Sequence, residues 1–229
     1  KKEISATDLW KKIVHNAWKS AEPGVLFWDT ILRESVPDCY ADLGYRTVST
    51  NPCGEIPLCP YDSCRLLAIN LYSYVVNPFK PDAYFDFDLF KKHVALAQRI
   101  MDDIIDLELE KIERIMAKID SDPENEDVKH TESVLWQKIY KKSGQGRRTG
   151  VGITAEGDML AALGLRYGTE EATEFAEKVH QTVALSAYRS SVEMAKERGA
   201  FEVYDSEREK NNPFINRLRE ADPELYEEM

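Results

Sequence analysis

The stretch Cys64-Arg65-Leu66-Leu67-Ala68-Ile69-Asn70-Leu71-Tyr72-Ser73-Tyr74-Val75-Val76 lies between two very different neighbours. From Leu66 to Val76 it is dense in residues that suit a packed, pleated surface, and it reads as a buried strand with an extension. Asn77-Pro78 closes it, since proline cannot donate to a strand ladder. Downstream, Leu89-Phe90, Val94, Ala97, Met101, Ile104-Ile105, Ile112, Ile115-Met116 and Ile119 recur at helical spacing, which predicts a helix of about thirty residues over 88–119. Upstream, residues 34–63 hold Pro37, Gly44, Pro52, Gly54, Pro57 and Pro60 and read as irregular. So long an irregular run in a compact domain is more often functional than idle.

Farther out, helical patterns dominate. Ser5 and Thr7 precede Leu9-Trp10, Ile13-Val14 and Ala17-Trp18, a capped amphipathic helix over about 6–20 that Glu22-Pro23-Gly24 stops. A short helix follows around Thr30-Ile31-Leu32. Residues 120–127 read as an acidic exposed loop, Val134–Tyr140 as a short helix, and Gly144–Gly152 as a glycine-rich turn entering a short strand. Gly157–Leu163 is helical with Gly164 as its cap, and Thr169-Glu170-Glu171 starts a helix that runs to about Arg198. The remainder reads as short polar helices.

The chain has 229 residues, 43% hydrophobic and 31% charged, which suits a globular domain and excludes a disordered one. No apolar run approaches the roughly 20 residues that cross a bilayer, and Lys1-Lys2-Glu3-Ile4 shows no signal-peptide pattern. The expectation is a cytoplasmic protein with no membrane partner. A net charge of −11 argues against bulk electrostatic binding to nucleic acid.

Of the four cysteines, Cys39, Cys53, Cys59 and Cys64, the last three fall within twelve residues. Their spacing fits no common zinc pattern, and no histidine lies between His15 and His93, so metal ligation is the weaker reading. Burial as small hydrophobes suits Cys39 and Cys59. It does not explain Cys53, flanked as it is in Asn51-Pro52-Cys53-Gly54-Glu55-Ile56-Pro57-Leu58. On an extended backbone, Asn51, Cys53 and Glu55 would face one side. An amide that holds a hydroxyl, a thiol for redox or radical work and a carboxylate base would then converge on a small substrate. A hairpin-like return would bring Cys64 to the same pocket as a second thiol.

This pattern resembles the Asn-x-Cys-x-Glu loop of the ribonucleotide reductase catalytic subunit. Cys64–Leu71 resembles the family's Cys-Asn-Leu-x-Ser-x-Asn-Leu strand, with Arg65 and Ala68 in place of the usual Asn and Ser. Arg147–Ile153, Asp158–Gly164 and Ala195–Phe201 resemble further family segments in the family's order. The resemblance implies a helix-rich part of a ten-stranded α/β barrel with the active-site cysteine on a finger loop. It implies Cys53 as the thiyl radical, Glu55 as base for the ribose 3′-hydroxyl, Asn51 as hydrogen-bond partner of the ribose hydroxyls, Cys64 as one redox-active thiol, and Asn51, Pro52, Cys53, Gly54 and Glu55 as the substrate-binding loop. It further implies a thioredoxin- or glutaredoxin-type reductant and a ribonucleotide substrate. Gly54, Ile56, Pro57 and the short Cys53-to-Cys64 spacing look most like the adenosylcobalamin-dependent branch, with a radical from a metal-containing small subunit as the alternative. The upstream partner cysteine, the specificity region and the downstream phosphate loop of the family are not recognised, so residues 1–229 are expected to be a central segment of the catalytic barrel domain, inactive by itself. The alternatives from other classes are a non-catalytic barrel-derived binding module and a cysteine-ligated metal module.

Other features read as ordinary. Gly144–Gly152 lacks the ending of a phosphate-binding P-loop and reads as strand entry, although Arg147 and Arg148 could meet a phosphate or an acidic partner. His15, His93 and His180 lie on predicted helices. Asp102, Asp103, Asp106, Glu108 and Glu110 read as a solvated helix face, because no Glu-x-x-His accompanies them.

Overall fold

The Ser5 side chain accepts from Asp8 N (3.3 Å) and caps the first helix, α1 (Ala6–Ser20), which buries none of its residues. These elements belong to a computed structural model that describes residues 3–229; Lys1 and Lys2, the start of the run read for a leader, lie outside the described residues. Helix α2 (Trp28–Glu34) leads into 3₁₀ turns over Val36–Leu43, kinked at Tyr40. A hairpin of β1 (Ser49–Thr50) and β2 (Pro57–Leu58) follows, antiparallel with Ser49 opposite Leu58. The run 34–63 is therefore not irregular throughout: it holds these turns and the hairpin that carries Cys53.

The expected strand from Leu66 to Val76 is broken. Strand β3 covers only Leu67–Asn70. There the Asn70 side chain accepts from Tyr72 N (3.1 Å), a local turn that competes with strand pairing and opens a 3₁₀ turn over Leu71–Tyr74. The chain then forms β4 (Val75–Val76), paired antiparallel with β5 (Tyr84–Phe85). Asp86 caps the long helix α3 (Phe87–Ser121) by accepting from Leu89 N (2.9 Å).

Helix α4 (Glu126–Gly146) is three times the predicted length. Asn125 caps it through Asp127 N (2.8 Å), and Glu126 and Asp127 fall where the helix dipole favours negative charge, so the acidic loop shrinks to 122–125. Strand β6 (Val151–Thr154) runs parallel to β3, Leu67 opposite Val151 through Asn70 opposite Thr154. Then come α5 (Glu156–Ala162), α6 (Glu170–Arg198) capped by Thr169, and the short helices α7 (Ser206–Glu209), α8 (Pro213–Ala221) and α9 (Pro223–Glu228).

The main core lies where α3 and α6 pack together beneath the β3–β6 pair. Phe90, Val94 and Ala97 of α3 meet Val179 of α6, Ile69 of β3 and Met159 and Leu160 of α5. Phe85 and Phe90 meet edge to face at 5.2 Å, an arrangement favoured by the ring quadrupoles. The implied ten-stranded barrel is not closed by the described residues. They form three separate two-stranded pairings, and β3 and β6 each have one hydrogen-bonded neighbour where a closed barrel gives every strand two. Among the described residues no helix is long and apolar enough to cross a membrane.

Candidate active site

The β1–β2 hairpin closes through its backbone. Val48 N donates to Leu58 O (3.0 Å) and Asn51 N to Ile56 O (3.1 Å), which extends the ladder beyond the two strand residues. Gly54 N donates back to Asn51 O (3.0 Å), a turn that puts Gly54 at φ 87°, in the left-handed region. Glycine occupies that conformation without strain, and a Cβ there would press to 3.1 Å from the Leu26 side chain. Residues 52–54 are thus a turn, not the extended backbone expected from the Asn51, Cys53, Glu55 alternation.

The turn brings Asn51 and Glu55 together by another route. Asn51 is 7% exposed. Its Oδ1 accepts from Ile56 N (2.9 Å), and its Nδ2 donates to Glu55 Oε1. The same Nδ2 lies 4.0 Å from Cys64 Sγ. One buried amide therefore touches the carboxylate on one side and approaches the second thiol on the other. Cys53 stands at the exposed tip of the turn, and Cys64 is exposed as well. All four cysteines are free thiols. Cys59 is 4% exposed, and burial with the nearby Asp62 carboxylate raises its pKa; burial likewise raises Cys39. Among the described residues no group of three or more His, Cys, Asp or Glu is placed to hold a metal ion.

A buried ionic cluster behind the hairpin was not legible in the sequence. Arg148 donates to the carbonyl of Pro57 on β2 (2.8 Å) and pairs with Asp62. Arg65, next to Cys64, lies 3.7 Å from Asp62, and both side chains are nearly solvent-free. Arg65 also forks onto Glu108 of α3 (2.5 and 2.7 Å), and it donates to Ser143 Oγ of α4 (2.7 Å) and to Arg148 O (3.2 Å). Burial would raise the Glu108 pKa, but the Arg65 and Ser143 bonds outweigh it and hold the carboxyl below its ordinary value. The partners lie 43 to 83 residues apart, so no local pattern signals them.

The carboxylates of α3 are solvated in part: Asp103, Asp106 and Glu110 are exposed, while Asp102 and Glu108 are half-buried. Arg147 binds Asp102 (2.8 Å) and Asp106 (2.7 Å), and Arg198 binds Asp102 (3.0 Å) and Asp103 (2.8 Å). The acidic partners of Arg147 and Arg148 thus lie within the chain. Only the second half of the glycine run is a strand entry, since Gly144 and Gly146 end α4: a Cβ on Gly150 would fall 2.5 Å from the Arg65 carbonyl oxygen, and Leu67 N donates to Gly150 O (2.9 Å). His93 Nδ1 meets Tyr74 Oη (2.9 Å), and His180 lies 3.6 Å from Glu156.

A family model described as the ribonucleotide reductase barrel domain matches residues 1–224. The chain belongs to this family. Among curated relatives, the chain is 36% identical over 210 residues to a vitamin B12-dependent ribonucleoside-diphosphate reductase of Thermoplasma acidophilum, covering 91% of this chain and 23% of that protein. It is 31% identical over 206 residues to a protein of the same name from Mycobacterium tuberculosis, covering 90% and 25%. It is 27% identical over 207 residues to a ribonucleoside-diphosphate reductase subunit alpha of Chlamydia pneumoniae, covering 89% and 17%. The chain thus spans a quarter or less of the length of these relatives.

Proposed function

We propose that this chain is the catalytic segment of a ribonucleotide reductase, reducing ribonucleotides to deoxyribonucleotides for DNA synthesis. The observation that carries the reading is the buried Asn51 amide, bonded to Glu55 and 4.0 Å from Cys64 Sγ, at the base of the turn whose exposed residue is Cys53. In this reading the hairpin is the finger loop, and β3 and β6 are neighbouring strands of the ten-stranded barrel.

Asn51 Oδ1 accepts from Ile56 N, so the side chain is held with Nδ2 on Glu55 and near Cys64. A ribose hydroxyl entering between Asn51 and Glu55 would accept from the amide and donate to the carboxylate, exchanging one hydrogen bond for two. Glu55 takes the 3′-hydroxyl proton as general base. Cys53, as a thiyl radical, takes the 3′ hydrogen atom and later returns it. Cys64 and a second thiol supply two electrons and two hydrogens: their S–H bonds break and a disulfide forms, one hydrogen leaves with the 2′-hydroxyl as water, and the other forms the new C–H bond at the 2′ carbon. A thioredoxin- or glutaredoxin-type partner reduces the disulfide. Pro52 and Gly54 shape the turn that presents Cys53.

The relatives named vitamin B12-dependent support adenosylcobalamin as the cofactor here. An exposed thiol at a turn tip fits a group brought to it from outside the core, and Pro52, Cys53 and Gly54 are the residues that would face it. When bound, adenosylcobalamin supplies the hydrogen-abstracting radical. Four free thiols suit the reducing cytoplasm.

The test is Cys53→Ser in the complete reductase. Folding should be retained and deoxyribonucleotide formation lost. Undiminished production would remove the radical role from Cys53.

A further inference from the structure

We infer that Arg65 is a positioning residue for the reduction step: through Asp62, Glu108 and Ser143 it fixes Cys64 relative to the Cys53 hairpin. The inference rests on the reductase reading of the hairpin and deepens it.

The cluster is a continuous path. It starts at the Pro57 carbonyl on the second hairpin strand, 2.8 Å from Arg148, and passes through the Arg148–Asp62 pair to Arg65. From Arg65 it divides to Glu108 on α3 and Ser143 on α4, which themselves bond at 3.0 Å. Arg65 is held from its backbone too. Its carbonyl oxygen lies so close to Gly150 that a Cβ there would approach to 2.5 Å, and the following ladder bond joins Leu67 N to Gly150 O. Cys64 is one residue away, exposed, and without a rigid element of its own before it. Its place near the Asn51 amide is therefore inherited from Arg65 and from the hairpin that Arg148 ties to the same cluster.

The chemistry of the residue suits the task. A guanidinium presents donors in a rigid fork, so one side chain satisfies Glu108 in two-pronged fashion, Ser143 and the Arg148 carbonyl together while facing Asp62. Asparagine in its place would be too short, and without the charge, to reach across to Glu108 on α3. A thiol pair must meet the 2′ position at near-bond distance, and a misplacement of about 1 Å can cost on the order of 100-fold in rate.

The experiment compares Arg65→Asn with the double variant Arg65→Asn/Glu108→Gln in the complete reductase, reading kcat, KM for the ribonucleotide and the thermal unfolding midpoint, with turnover normalised to folded protein. The single variant leaves the half-buried Glu108 carboxylate with Ser143 alone and should lose both stability and turnover. The double variant removes that charge. Its unfolding midpoint should return towards the parent while kcat stays at least about tenfold down with KM changed far less, because the anchor is still missing. Recovery of kcat together with stability makes Arg65 merely structural and overturns the inference. So does a kcat within twofold of the parent in the single variant, or a double variant that still fails to fold. Cys53→Ser run alongside separates the two claims. If it is inactive and Arg65→Asn is normal, only the positioning role fails; if Cys53→Ser turns over normally, the reductase reading of the hairpin fails first.

Discussion

Replacing Gly150 by alanine probes the junction on which the site rests. The added methyl carbon would stand 2.5 Å from the Arg65 carbonyl oxygen, a backbone atom that cannot swing away, whereas ordinary contact begins at 3.4 Å. The two strand ends must part by about 1 Å, and over-packing of this kind costs about 1–3 kcal/mol. The displacement also strains the Leu67 N to Gly150 O bond (2.9 Å) at the mouth of a pairing only four residues long; its loss adds about 1 kcal/mol. For a chain of this size, a total of about 2–4 kcal/mol lowers the unfolding midpoint by about 4–16 °C. Gly157→Ala is the matched control. That glycine lies in α5 with nothing within 4 Å of an added Cβ, so the same substitution should stabilise by about 0.5–1 kcal/mol through helix propensity. Calorimetry of parent and variants reads both signs. A Gly150→Ala protein as stable as the parent, or a Gly157→Ala protein equally destabilised, would refute the close approach of β6 to Arg65.

Two further outcomes follow from the same geometry. Alkylation of the native chain by iodoacetamide, mapped by mass spectrometry, should label Cys53 and Cys64 first and Cys59 only on unfolding, since Cys59 is buried and its pKa is raised; early labelling of Cys59 would contradict its packing against Tyr40 and Tyr45. Burial raises the Glu209 carboxyl above 4.5, against the lowering effect of the Tyr40 hydroxyl bonded to it at 2.6 Å. The folded chain then holds more protons than the unfolded one just above pH 4.5, so this group's contribution is most favourable below 4.5 and falls as pH rises through the raised value. Glu209→Gln should therefore gain in urea midpoint relative to the parent from about pH 4 to about pH 7, and an unchanged difference across that range would refute the assignment.

The long helices were legible because their signals are local. The apolar period of α3 and the Thr169 and Gly199 ends of α6 predicted 88–119 and a stop near Arg198, and the helices are Phe87–Ser121 and Glu170–Arg198. Reading failed where one side chain redirects the backbone. Asn70 turned a strand into a 3₁₀ turn, and Asn125 started α4 eight residues before its apolar pattern. At the site, the motif named Asn51, Cys53, Glu55 and Cys64, but the alternation argument had the wrong geometry: the Asn51–Glu55 contact comes from a closed turn. The ionic cluster was invisible, because Asp62, Arg65, Glu108 and Arg148 look like surface charges until strands β3 and β6 meet; of the α3 carboxylates, Asp103, Asp106 and Glu110 are exposed as expected, while Asp102 and Glu108 are drawn inward.

The central claim is that Cys53 takes the hydrogen atom from the ribose 3′ carbon. The direct measurement is a competition between 3′-deuterated and unlabelled ribonucleotide in the complete reductase. The account predicts that the deuterated substrate is consumed more slowly, and that Cys53→Ser consumes neither. Equal consumption with Cys53→Ser as active as the parent would contradict it.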